Sequence, residues 1–269
     1  MLKFMKYEIR GTYRFILGVL VLAFILITGI YYYVTKGNSA GGNIFIGLSV
    51  LLLFGIALVT FLYIVGSFRK ELYEDTGYLT FTLPLTGNQI VASKLIVALL
   101  WFFLLGLMLA LYNLLMLRFF VRIDFSIIAW LQTLRHFLTN RQAVALILGA
   151  VIFGISLLLL IYFSITLSRV TFRNKKIGNF WFIIFLVLSA LLSYGQMKVA
   201  AFVPYYLDLT TLNIGTLASM DILHMTIEQG AITITSSQYI NLAVLLYKII
   251  VIIALFLGTG FLIERKIDL

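Results

Sequence analysis

Few residues in this chain have types and spacing that could do chemistry, and those few exclude most reactions. No G-x-x-x-x-G-K-[ST] phosphate loop occurs, so the chain cannot cradle and split ATP by that route. No H-E-x-x-H motif occurs, and the two histidines, His136 and His224, stand far apart. There is no cysteine, so thiolate metal ligands, a thiol nucleophile and a disulfide framework are all excluded. No Ser-His-Asp arrangement can be read, and no apolar run carries paired carboxylates, which argues against a membrane protease or a proton-driven antiporter. No metal site or catalytic residue is therefore assigned. Two charged features remain. Lys248 is the one strong charge within an apolar run. The other is the stretch Ser67 to Trp101, where Arg69, Lys70, Glu71, Glu74 and Asp75 fall within seven residues.

The elements that must position these charges follow from composition. The chain of 269 residues is 62% hydrophobic and 11% charged, too apolar to cover the surface of a soluble domain. Its apolar runs are long enough to cross about 30 Å of hydrocarbon, and backbone satisfaction in lipid makes helices the default. The expected fold is a single all-α integral membrane domain over residues 1–269. Six transmembrane helices are expected near 15–34, 44–66, 90–117, 143–167, 180–196 and 240–263. Ahead of them, Lys3, Lys6, Arg10 and Arg14 form one helical stripe, which predicts an N-terminal interfacial helix over 1–14. With both termini inside, thirteen Lys and Arg fall on the inner side and six on the outer, which favours that orientation. The net charge of +10 is then a topology signal, not a nucleic-acid footprint. Arg118 to Arg141 is the exception, basic on the expected outside. Its middle, 125–138, reads as an outer interfacial helix anchored by Trp130. The outer segment 197–239 is too polar to span and too apolar for a disordered loop. It predicts a small ordered extracellular cap with short helices, in which Ala231 to Thr235 alternates as a strand does.

Between the second and third spans, a short charged helix begun near Phe68 is expected to end at Gly77. Pro84 then keeps Leu83 out of helical space, and Thr86 followed by Gln89 forms a capping box that starts the next helix. The result is a compact charged knob over 67–89. The segment GYLTFTLPLTGNQIVASKL, preceded by FRKELYED, resembles the first cytoplasmic loop of the ABC-2-type exporter permeases. The likeness is nearest to the small Gram-positive permeases that export amphipathic cytolytic or antimicrobial peptides, such as the phenol-soluble modulin exporters.

The resemblance implies a coupling helix that docks on a separate ATPase. Arg69, Lys70, Glu71, Glu74 and Asp75 would stand at the rim, with Leu72, Tyr73 and Tyr78 as anchors. It also implies two permease copies, most simply a homodimer, with two ATPase subunits that carry the ATP and Mg. The protein would be a multi-pass protein of the bacterial plasma membrane, among membrane lipids, exporting an amphipathic peptide. Export of a lipid or drug, a toxin-immunity or sensor protein, and a lipid-acting membrane enzyme are the alternatives. Lys248 lies about 12 Å below the outer end of its span. There it either snorkels to the headgroups or faces the bundle interior on the substrate path.

Overall fold

The computed structural model describes residues 1–36, 41–73, 85–121, 132, 135, 139–171, 180–209, 212–216, 223–228, 231–236 and 239–266. Six helices are long and apolar enough to cross a membrane. They are α1 (Leu2–Lys36), α2 (Gly41–Tyr73), α3 (Gly87–Met116), α4 (Arg141–Thr171), α5 (Trp181–Phe202) and α6 (Leu242–Lys266). A π-helical turn, Leu117–Val121, extends α3. The chain divides into two compact units, one of 1–127 with 260–269 and one of 128–259.

In the first unit α1 buries one stripe: Phe4, Thr12, Ile16, Leu20, Ala23, Ile27 and Tyr31. Spacings of three and four keep these residues on one face. Helix α3 answers with Ile90, Val97, Trp101, Leu105 and Leu109. Ile16 and Leu20 pack on Val97, Trp101 and Leu105, and Ala23, Ile27 and Tyr31 pack on Ile56 and Leu109. Polar groups on this seam pair with each other. Trp101 Nε1 donates to Thr12 Oγ1 at 2.9 Å, and Thr12 donates to the Glu8 carbonyl at 2.9 Å. Thr28 Oγ1 and the Tyr112 hydroxyl lie 2.6 Å apart. Phe15 stacks on Tyr63 of α2 with ring centroids 3.7 Å apart.

Two expectations about element boundaries are corrected here. Residues 1–14 do not form a separate interfacial helix. They are the first turns of the continuous 35-residue α1, because no proline interrupts the chain before Phe15 and the buried stripe continues through Thr12. Likewise no helix begins near Phe68. Helix α2 continues from the span through Tyr73, with Phe68 and Leu72 buried on its inner face. Residues 74–84, which include the expected stop at Gly77, lie outside the described residues, as does most of the 125–138 segment with Trp130.

In the second unit α4 is buried from Leu158 to Ile165 except at half-buried Phe163, with Tyr162 at 1% exposure. Gly258 of α6 lies against the Phe163 ring, where an added Cβ would come within 3.0 Å. The segment between α5 and α6 departs from the otherwise helical structure and, among the described residues, carries strands where short helices were one expectation for the cap. It forms five short strands: β1 (Tyr205–Asp208), β2 (Ile214–Thr216), β3 (Leu223–Glu228), β4 (Ala231–Ser236) and β5 (Tyr239–Asn241). β1 is the centre of an antiparallel sheet in the order β2-β1-β5, with Tyr206 opposite both Gly215 and Asn241. β3 and β4 pair as an antiparallel hairpin, and the alternating 231–235 segment lies within β4. Asn241 joins sheet to helix. Its Oδ1 accepts from Val244 N–H at 3.0 Å and its Nδ2 donates to the Val203 carbonyl at 3.0 Å. This satisfies one of the orphan donors at the start of α6.

Candidate functional site: a charged junction at one end of the first unit

The sequence places a lysine at position 94 on the buried face of α3. An unpaired ammonium there would be very costly, so a partner is required. The structure supplies two. Lys94 Nζ lies 2.8 Å from Glu8 Oε1 of α1 and 2.8 Å from Glu71 Oε1 of α2. The lysine side chain is 2% exposed and the two glutamates 12% and 20%. Ser67 Oγ also donates to Glu8 Oε1, at 3.3 Å. One ammonium thus ties three helices together through two charge-assisted hydrogen bonds. Its geometry follows from the helical repeat. Glu8 falls between Phe4 and Thr12 on α1's buried stripe, and Glu71 follows Ser67 by one turn on α2.

The start of α3 is fixed by a second set of contacts. Thr86 is the N-cap, and its side chain accepts from Gln89 N–H at 3.4 Å. Gln89 Oε1 accepts in return from Thr86 N–H at 3.3 Å, which completes the capping box expected from the sequence. Glu264, near the end of α6, accepts from Gly87 N–H at 3.3 Å. A carboxylate in this position also complements the positive end of the α3 dipole. The approach is close enough that a Cβ on Gly87 would overlap the Gly260 carbonyl, and a Cβ on Gly260 would overlap the Asn88 side chain. The N-terminal part of α1 and the C-terminal part of α6 therefore both meet the start of α3.

No family model, curated protein or solved structure matches this chain.

The knob residues divide by location. Arg69, Lys70, Glu71, Leu72 and Tyr73 form the end of α2, while Glu74, Asp75 and Tyr78 lie outside the described residues. Glu71 points inward to Lys94 and is not a rim charge. Leu72, expected as an anchor for a partner, is 5% exposed and already buried by its own unit. Lys70 is exposed, Arg69 and Tyr73 half-buried. Lys248 is elsewhere, on the wall of a cavity in the second unit. The residues not foreseen are Glu8, Ser67, Lys94, Gly87 and Glu264. For Glu8 a signal existed, since it is an acid four residues from Phe4 and from Thr12 on the future buried face. For the pairing of Gly87 with Gly260 no local signal exists, because the contact joins residues far apart in the chain.

Proposed function

We propose that this protein is the permease subunit of an ATP-driven exporter of the ABC-2 type, with the charged junction as the place where a separate ATPase acts on it. The observation that carries this reading is the junction itself. The connection 74–84 leaves α2 directly after Glu71 and enters α3 directly before the Thr86 cap. Helices α1, α2 and α3 are cross-tied by Lys94 within two to three turns of that connection. A push on the connection is thereby delivered to three helices together. ATP binding drives export only if it stabilises one arrangement of these helices over another. The absence of a phosphate loop from the chain fits an ATPase on a second polypeptide carrying ATP and Mg.

In this reading two copies of the chain, most simply a homodimer, pair with two ATPase subunits in the bacterial plasma membrane. Both termini face the cytoplasm and the cargo is an amphipathic peptide. Exposed Lys70 with Glu74, Asp75 and Tyr78 makes the docking rim, while Glu71 and Leu72 hold the rim in place from behind. The test is co-purification of the tagged protein in mild detergent with the phosphate-loop ATPase of the neighbouring gene. Wild type is compared with a Lys70→Glu, Glu74→Arg, Asp75→Arg variant that leaves Glu71 intact. Retention of the ATPase by wild type and its loss from the folded variant is the expected result. If no ATPase is retained with or without nucleotide, the exporter reading fails and a toxin-immunity or sensor role takes its place.

A further inference from the structure

The second unit contains a cavity of about 140 Å³ between α4, α5 and α6. Its polar wall consists of Ser156, Ser189, Ser193, Gln196, Tyr247 and Lys248, and among the described residues no carboxylate lines it. Two of these groups are already committed. Ser156 Oγ donates to the Phe153 carbonyl at 2.8 Å, and the Tyr247 hydroxyl donates to the Leu192 carbonyl at 3.1 Å. Ser189, Ser193, Gln196 and Lys248 have no hydrogen-bond or ion-pair partner among the described residues. They leave an ammonium, two hydroxyls and an amide facing one small space. Lys248 also stands in the second turn of α6, near the positive end of the helix dipole, where a cation is disfavoured and an anion favoured. The site is built for an oxyanion.

Volume and surroundings narrow the ligand. A space of about 140 Å³ equals roughly five waters at ~30 Å³ each, enough for a phosphate and its first carbons but not for a peptide. Phe153 on the cavity wall is an exposed apolar side chain, and Leu157, Leu192 and Val251 continue the apolar lining beside the lysine, a surface suited to acyl chains. We propose that the cavity binds the phosphate of an anionic membrane lipid. Lys248 supplies the charge, and Ser189, Ser193 and Gln196 supply hydrogen bonds to the phosphate oxygens.

The test uses the full-length, delipidated protein in detergent. Phosphatidylglycerol, phosphatidylcholine and inorganic phosphate are titrated separately, with bound lipid counted by native mass spectrometry. Phosphatidylglycerol is expected to bind with at least about tenfold preference over phosphatidylcholine, whose phosphate is the same but whose choline cation would stand against the Lys248 ammonium. Lys248→Gln removes that preference and Lys248→Arg retains it. Ser193→Ala with Gln196→Ala weakens it severalfold, and this pair decides the matter if Lys248→Gln does not fold. Lys198→Gln, at a cation that instead sits 5.5 Å over the Tyr194 ring, leaves it unchanged. The proposal fails if Lys248→Gln binds like wild type, if Lys198→Gln is equally impaired, or if inorganic phosphate alone displaces the lipid. No ATPase enters the assay, so its outcome is independent of the exporter reading.

Discussion

Lys94 shows how one residue can fix three helices. A lysine at 3% exposure persists only because Glu8 and Glu71 each stand 2.8 Å from its ammonium. Lys94→Met would leave two carboxylates facing each other without a counter-ion. It should lower stability by about 3–5 kcal/mol, read from thermal unfolding in detergent. Combining it with Glu8→Gln and Glu71→Gln should restore most of that loss, because the uncompensated charges then disappear as well. If the triple variant is no more stable than Lys94→Met, the ion cluster does not hold the helices. Leu212 predicts the opposite sign. It adopts φ 61° while 52% exposed, so it carries left-handed strain with little burial to offset it. Leu212→Gly should stabilise the second unit by about 1 kcal/mol, seen as a higher unfolding midpoint. At this scale the sequence was legible only in part. Lys94 could be placed on a helix, but its partners come from positions 8 and 71, and no local pattern reports such a distance along the chain.

At the scale of elements, local chemistry was readable and pairing was not. The Thr86 and Gln89 capping box forms as its spacing requires, because both partners lie within one turn. Charge does not mark the start of α1 or the end of α2. Lys3, Lys6 and Arg10 continue α1, and Arg69 and Lys70 continue α2, because these side chains extend outward while the opposite face stays packed. The four strands other than β4 escaped notice for a different reason. Segments of three to six residues acquire strand character from partners elsewhere in the chain, and only β4 carried its own alternation. The junction of α3 with α6 gives a prediction at this scale. Gly87→Ala or Gly260→Ala forces backbone against backbone or side chain and should cost about 1–3 kcal/mol. Gly106→Ala and Gly149→Ala meet nothing within 4 Å and should be neutral in the same unfolding measurement.

At the scale of the whole molecule, composition was the reliable guide. Six apolar helices follow from hydrophobic runs that no soluble fold could bury, and six are present among the described residues. The start of α1 and the end of α6 both reach the start of α3, which agrees with an even number of crossings. Orientation is directly testable because the chain contains no cysteine, so each introduced thiol is a unique reporter. Lys70→Cys and Arg265→Cys should be shielded from an impermeant thiol reagent in intact cells and labelled after lysis. Lys198→Cys should label in intact cells. Labelling of Lys70→Cys from outside would invert the topology and remove the basis for an intracellular ATPase partner.

Helix α1 is also a yardstick. Its 35 residues extend about 52 Å, against a hydrocarbon layer of about 30 Å. Glu8 lies seven residues before the apolar run that opens at Phe15, about 10 Å along the axis. A rigid rod pinned at that point by Lys94 cannot shorten when the surrounding bilayer thins; it can only tilt, and α2 and α3 must tilt with it. A tilt of α1 imposed by the lipids would therefore load the ion cluster at Lys94, about 10 Å beyond the apolar run itself.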